Sequence, residues 1–372
     1  MLFILLYTLI SCLCIAVSAQ AFWFDGELAV WGNLIMCIIL IYAWFSPIFI
    51  WLLQPKNLIS VRLYTFFAQS GYFLYGTAFL LTICVVLYDI LWSGGYLLGN
   101  QQIRHLLNPE NMRGVKYLIL AVVLVSSLYS VYAALKQPRV RRYEYHSSAI
   151  RRPLTMLVVS DMHITKMTSL KKIDQWISLF NDLNPDVVVM PGDIADDCVD
   201  HIREKIRRLK KIKAPLGVFF ALGNHEMYFD PFAWEAEFAS LGWQILHNSG
   251  VKINDTGIFI GGVPNIGRDP DQIKRIFNQA ENGCFRILLS HEPMSAAHLT
   301  ENDVDLQISG HTHGGQIFPF HFLVKLGNKG MLAGKYERHH TQILVSRGVG
   351  YWGPPMRLFA PAEVLLINFR PK

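Results

Sequence analysis

Thiolate chemistry is the first thing this sequence lacks. Its six cysteines, Cys12, Cys14, Cys37, Cys84, Cys198 and Cys284, follow no spacing pattern, and four of them fall in apolar stretches. No disulfide framework or cysteine-ligated metal site is implied, which suits a reducing compartment. The chain has no internal repeat and no low-complexity tract, which excludes repeat arrays. Charge is scarce as well. Asp, Glu, Lys and Arg make up 17% of 372 residues against 52% hydrophobic ones, too apolar a balance for an ordinary soluble enzyme.

The apolar excess lies almost wholly before residue 136. Four stretches carry it: Leu2–Val17, Leu34–Leu53, Tyr72–Trp92 and Val115–Leu135. The last three match the roughly 20 residues needed to cross a hydrocarbon layer about 30 Å thick. The first is shorter and reaches a span only with Ala21–Phe24 at the interface. Ser18-Ala19-Gln20-Ala21 resembles a cleavage site, but the stretch has no positive n-region and further spans follow, so a span is expected rather than a leader. The first connection carries Asp25 and Glu27, the second Lys56 and Arg62, and the third Arg104 and Arg113. A basic run follows the fourth stretch: Lys136, Arg139, Arg141 and Arg142, then Arg151 and Arg152. Four spans in the inner (cytoplasmic) membrane, with both termini and the second half of the chain on the cytoplasmic side, fit this distribution. The run explains much of the +6 net charge, so no nucleic-acid partner is called for. It suits a stop-transfer signal and anionic lipid alike. Asp89 is expected at the membrane interface.

The expected organisation is a transmembrane region of about four helices at 1–136, a basic juxtamembrane linker at 137–152, and a layered α/β domain at 153–372. In that domain strand-like runs (Leu154–Ser160, Asp186–Met190, Gly217–Leu222, Ile258–Val263, Phe285–Leu289, Leu306–Ser309, Gln342–Ser346, Val364–Phe369) alternate with helical spacing at Thr168–Leu183 and Val199–Ile212. Thr168 or Ser169 is a candidate N-cap. Asp230-Pro231 and Asp269-Pro270 each read as an N-cap followed by proline at the first helical position.

Five of these runs end on hard-metal ligands: Asp161-Met162-His163, Gly192-Asp193, Gly223-Asn224-His225-Glu226, His291 and Gly310-His311-Thr312-His313. Ligands of α/β sheets gather at the carboxyl ends of strands. Asp161 and His163, two apart on extended chain, point to the same side, and His311 and His313 repeat the device. Asp193 has two oxygens and can bridge two ions, Asn224 offers a neutral carbonyl oxygen, and His291 adds an imidazole. Gly192, Gly223 and Gly310 precede ligands where the chain turns sharply. The all-O/N set suits two divalent metal ions, Mn²⁺ foremost, with Fe or Zn²⁺ also suited. A pair of such ions serves hydrolytic phosphorus chemistry.

In this order the motifs resemble the calcineurin-like metallophosphoesterases, over about Leu154 to Phe369. Gly310–Gln316 and Ser346–Gly350 are similar to the bacterial membrane-associated branch, which includes UDP-2,3-diacylglucosamine pyrophosphatases. The resemblance implies two packed mixed β-sheets flanked by helices. It implies a first metal on Asp161, His163, Asp193 and His313, and a second on Asp193, Asn224, His291 and His311. His225 would be the catalytic residue facing the substrate. Three departures from the family pattern stand out: Glu226 where Asp is usual, Met190-Pro191 before Gly-Asp, and Ala362 within a familiar Pro-Glu.

The expected function is a membrane-anchored, dinuclear metal-dependent phosphodiesterase or pyrophosphatase. Its expected partners are the lipid bilayer and a phosphoester substrate, UDP-2,3-diacylglucosamine-like if lipid-linked. A general phosphodiesterase or phosphatase on soluble or protein substrates, and a non-hydrolytic membrane sensor or scaffold, are the alternatives. Asp196, Asp197 and His201 read as a helix start without function. His247, His298, His321, His339 and His340 read as surface or core histidines. Phe318–Val324 reads either as a hydrophobic flap or as a buried strand.

Overall fold

The computed structural model describes residues 2–20, 29–54, 60–99, 101–106, 112–265, 269–299 and 304–372. The orientation expectations resting on Asp25, Glu27 and Lys56, and the Ala21–Phe24 interface, lie outside the described residues, as do the side chains of Arg104 and Arg113. The chain divides into two compact units, residues 1–132 with 353–356, and residues 133–352 with 357–372.

The first unit is helical: α1 (Leu2–Gln20), α2 (Ala29–Leu53), α3 (Val61–Leu97), α4 (Gln101–Leu106) and most of α5 (Met112–Leu135). Among the described residues, Val30–Leu53, Val61–Leu97 and Gly114–Leu135 are long and apolar enough to cross a membrane, while α1 adds a shorter apolar run, Leu6–Ala19. Leu9, Trp31, Ile38, Phe66 and Leu128 stand exposed on these helices. Helices apolar all round are at home in hydrocarbon. Polar side chains pair across helices, Ser18 Oγ with Thr82 Oγ1 at 2.7 Å and Tyr42 OH with Ser70 Oγ at 3.0 Å. A Cβ on Gly71 would come within 2.6 Å of Ser46 Cβ, so α2 and α3 meet through small residues.

The second unit is built on two six-stranded mixed sheets. The first runs β1 (Arg139–Ser147), β12 (Glu363–Pro371), β2 (Leu154–Val158), β3 (Val187–Met190), β4 (Val218–Phe220) and β5 (Gln244–Ile245), parallel except where β12 meets β2. The second runs β10 (Gly334–Arg338), β11 (Thr341–Val345), β9 (Leu306–Ser309), β8 (Phe285–Ser290), β7 (Ile258–Val263) and β6 (Ser249–Ile253), antiparallel at its two outer pairs. The period-2 alternation of strands sorts their side chains into layers. Met156, Val158, Val187 and Val189 pack with Ile260, Ile287 and Ile308 between the sheets. Leu157, Val188 and Phe220 face the other way, against α6 (Leu170–Asp182), α7 (Val199–Arg207) and Trp234 and Phe238 of α9 (Pro231–Ser240). Phe259, Leu288 and Ile343 pack against α10 (Pro270–Phe277) on the far side. Buried on both faces, the parallel strands carry no polar alternation.

Ser169 caps α6, accepting from Lys172 N at 3.2 Å. Asp230 and Asp269 cap α9 and α10, each with proline following. The expected helix Val199–Ile212 is α7 followed by a one-turn 3₁₀ segment, Arg208–Lys211.

Two expectations are corrected. Residues 137–152 are not a linker: Arg139–Ser147 forms edge strand β1, in register from Arg139 opposite Glu363 to Ser147 opposite Pro371. Tyr145 faces inward and stacks on Phe369, with centroids 5.7 Å apart, while the arginines stand exposed, as charges do on strands that must not pair further. The buried-strand reading of Phe318–Val324 also fails, because the segment leads into α11 (His321–Gly327), a helix with no buried residue.

Candidate metal centre

Parallel strands β2, β3 and β4 of one sheet and β8 and β9 of the other each release a loop from their carboxyl end, and these loops converge. The loop backbones are laced together: Asp161 N donates to Gly192 O at 3.1 Å, His163 N to Asp193 O at 3.1 Å, and Gly310 N to His291 O at 3.0 Å. Five of the seven expected ligands, Asp161, His163, Asp193, His311 and His313, have positive φ between 45° and 70°. Left-handed backbone at non-glycine residues is costly and persists where surrounding structure over-determines it. Two glycines permit the close approach. A Cβ on Gly192 would lie 2.6 Å from Gly223 Cα, and one on Gly223 would collide with Asp193 Oδ1.

The side chains meet in a buried cluster. His163 Nε2 lies 2.9 Å from His313 Nε2 and 3.7 Å from Asp193 Oδ2. Asp161 Oδ1 lies 3.4 Å from His313 Nε2 and 4.0 Å from His291 Nε2. Asp193 Oδ2 lies 3.0 Å from His291 Nε2 and 3.9 Å from His225 Nε2. Three interlocking triplets have ligand atoms within 4.8 Å of one another: Asp161, His163 and His313; Asp161, Asp193 and His291; His163, Asp193 and His225. Asn224, at the start of α8 (Asn224–Tyr228), adds its Oδ1, which accepts from His311 Nδ1 at 3.0 Å.

This donor set fits a pair of hard or borderline cations. His291 Nδ1 donates to Pro191 O at 2.7 Å, which aims Nε2 into the cluster, 3.0 Å from Asp193 Oδ2. What the centre uses of Pro191 is therefore its carbonyl, and the missing N–H costs nothing. Burial, with the neighbouring His163 and Arg357, holds His313 well below the usual imidazole range; burial and His291 bring His311 down to about 4. Both rings are neutral and able to ligate. Burial would also lower His291, but the charge of Asp193 and its hydrogen bond outweigh this and raise it to about 10. A cation must therefore displace that proton. Metal affinity is expected to rise with pH from neutrality upward, with release of about one proton on binding. Calorimetry in buffers of different ionisation enthalpy measures this, and a buffer-independent heat would contradict it.

Glu226 explains its own departure from the family pattern. Its two oxygens accept from Asp193 N at 3.0 Å, Gly223 N at 2.8 Å, Ile194 N at 2.7 Å and Ala195 N at 2.9 Å. The side chain ties the loop after β4 to the loop after β3. Burial and the Asp193 charge push its carboxyl up, while the N–H donors pull it back. Glu226→Gln would turn an amide donor toward these donors. It is expected to cost roughly 2–4 kcal/mol, read as a lower thermal midpoint in detergent; an unchanged midpoint would mean the pin is dispensable.

Asp196 is the residue that sequence reasoning set aside. Its Oδ1 accepts from His225 Nδ1 at 2.6 Å, and its Oδ2 lies 3.3 Å from His163 Nδ1. Burial would raise Asp196, yet His225 and His163 draw it down to about 2. Burial likewise would lower His225, but Asp196 and then Asp193 raise it to about 9. The ring of His225 sits between Tyr228 and Trp352, with centroids 5.2 and 6.1 Å away. Arg357, fully buried, was also missed. It donates to the carbonyls of Gly350 at 2.8 Å, Ala360 at 2.9 Å and Arg347 at 2.8 Å, fastening the 347–350 loop under His313. Ala362 leaves Glu363 free to reach back, where it accepts from Arg347 Nη1 at 2.8 Å. His201 pairs with Asp197, and His247 with Glu235, away from the cluster.

Residues 154–315 match the family described as calcineurin-like phosphoesterase. An uncharacterized metallophosphoesterase of Campylobacter jejuni is 34% identical over 260 residues, 67% of this chain and 69% of that one. A second, from Helicobacter pylori, is 33% identical over 249 residues, 65% of this chain and 66% of its own. A Danio rerio transmembrane protein with metallophosphoesterase domain is 33% identical over 267 residues, 66% of this chain and 61% of its own. The chain thus spans about two thirds of the length of these relatives. With helices of membrane-spanning length before a buried Asp/His cluster at the rim of two mixed sheets, this chain belongs to the calcineurin-like metallophosphoesterases, a family of metal-dependent phosphoester hydrolases.

Proposed function

We propose that this protein is a membrane-anchored dinuclear phosphoesterase that cleaves a lipid-linked phosphodiester or pyrophosphate of the UDP-2,3-diacylglucosamine type. The observation that carries the reading is one buried cluster of carboxylates and imidazoles on a chain that also carries membrane-length helices. Asp161, His163 and His313 would hold one ion, and Asn224, His291 and His311 the other, with Asp193 between them. When bound, the pair supplies charge neutralisation for the phosphoryl oxygens and an activated water; Mn²⁺ is our first choice.

The chain's own groups do the rest. Asp193 is fixed by the His225 backbone N–H, which donates to its Oδ1 at 2.9 Å. Asp161 is fixed in the same way by His311 N, at 2.9 Å. Asp196 holds His225 protonated through Nδ1, so that Nε2 is the proton donor to the departing oxygen. Tyr228 and Trp352 flank that path.

We place the catalytic domain from Arg139 onward, because β1 belongs to its sheet, with the membrane region ending at 136. The basic run from Lys136 to Arg152 supports an inner-membrane protein with this domain on the cytoplasmic side. The test uses the protein purified in detergent. Bound metal is measured, and hydrolysis of a UDP-linked diacyl sugar is compared with that of a generic aryl phosphodiester. Cleavage of the generic compound alone would reject the lipid-linked substrate and leave the hydrolase.

A further inference from the structure

Beyond the last ligand the chain turns outward into a patch that the core does not use. Gln316 ties this turn to the rim, donating from Nε2 to Trp352 O at 2.7 Å and accepting from Trp352 N at 2.9 Å. Phe318 follows, its ring 6.0 Å from Phe322 and 5.7 Å from Phe359 between centroids. Phe322, Leu323, Leu326 and Phe359 are 62%, 63%, 78% and 74% exposed. Positions 322, 323 and 326 share one face of α11. These four large apolar side chains stand exposed, and α11 buries no residue, so they are not a folding device.

The composition around them indicates what covers them. From Phe318 to His340 the charged residues are Lys325, Lys329, Lys335 and Arg338 against Glu337 alone. Apolar side chains with a cationic collar suit the boundary between anionic headgroups and acyl chains. The same chain supplies the bilayer: α5 is long and apolar enough to cross it, and only residues 136–138 separate α5 from β1.

We propose that Phe318, Phe322, Leu323, Leu326 and Phe359 form a membrane-entry surface that inserts among the acyl chains of the anionic bilayer anchoring the chain. Amphiphilic phosphoesters then reach the metal centre from the interface without leaving it. The substrate part of this inference rests on the lipid-linked reading above; the insertion does not.

Two readouts on the full chain, reconstituted in phosphatidylethanolamine–phosphatidylglycerol vesicles, separate the claims. A benzophenone amino acid in place of Leu323 is irradiated and the peptide analysed by mass spectrometry. Lipid adducts are expected; their absence, or cross-links to a second copy of the chain in their place, would overturn the surface. Separately, Phe322→Ser, Leu323→Ser and Leu326→Ser are combined. The combined variant is expected to lose about tenfold or more in kcat/KM on a long-chain phosphodiester embedded in the vesicles, with a water-soluble aryl diester cleaved as before. Equal loss on both substrates would mark a structural role and overturn the proposal, as would no loss on either. If the unmutated protein cleaves only the soluble ester while position 323 still captures lipid, the substrate reading falls and the surface stands.

Discussion

Asp193→Asn is expected to empty the centre and stop hydrolysis together. Asp193 Oδ2 faces three imidazoles, 3.0 Å from His291 Nε2, 3.7 Å from His163 Nε2 and 3.9 Å from His225 Nε2. Although burial works against ionisation, His291 and the other imidazoles hold this carboxyl well below the usual carboxylate range. The charge is thus built into the apo protein and available to two cations. An amide removes that charge and offers an N–H to nitrogens that must face a cation. Changes to outer partners of a metal typically cost 10–100-fold, so a shared ligand is expected to cost more than about 100-fold in kcat/KM, with metal content falling in parallel. Metal analysis and kinetics on the same preparation check this. Full metal occupancy with full activity would remove Asp193 from the centre.

How much of this was legible before the structure depends on how local the physics is. That Asp161, His163, Asp193, His291 and His313 would gather in one cluster was legible because strand ends, glycines and these side chains are adjacent in sequence. The caps at Ser169, Asp230 and Asp269 were legible for the same reason. β1 was not: in Arg139–Ser147 the charged residues fall on both faces, Arg139 and Arg141 on one and Arg142 and Glu144 on the other, so no apolar face marks a strand, and only the distant β12 tells it from a linker. Asp196 was lost to a local explanation, an acid near a helix start, when its real partners are His163 and His225 on two other loops. The signal was there as the acid three residues after Asp193. Arg357 carried no signal of its own, since its acceptors are backbone carbonyls of other loops, which no side-chain pattern encodes. Glu226 was noticed for its length, but the purpose of the extra methylene appears only when the 193–195 backbone is seen within its reach.

His225 and Asp196 make the second large prediction, and the leaving group decides it. A proton donor matters in proportion to how poorly the departing oxygen bears charge. His225→Ala is therefore expected to lose on the order of 10²–10⁴-fold in kcat on an alkyl phosphodiester, and much less on a nitrophenyl ester, with bound metal retained. In the proposed mechanism the protonated ring is the working form, so activity is expected to fall as pH rises through its pKa. Burial lowers that pKa, and the charges of Asp196 and Asp193 overcome it, to about 9. Cations held at Asp193 would cancel its share and leave Asp196 as the support. Asp196→Asn should then move the alkaline limb of the alkyl-ester profile to lower pH by more than about one unit, while the nitrophenyl profile keeps its shape. Equal losses on both esters, or an alkaline limb that stays in place in Asp196→Asn, would mean that His225 only shapes the loop beside Asn224 and that the leaving oxygen takes its proton from water.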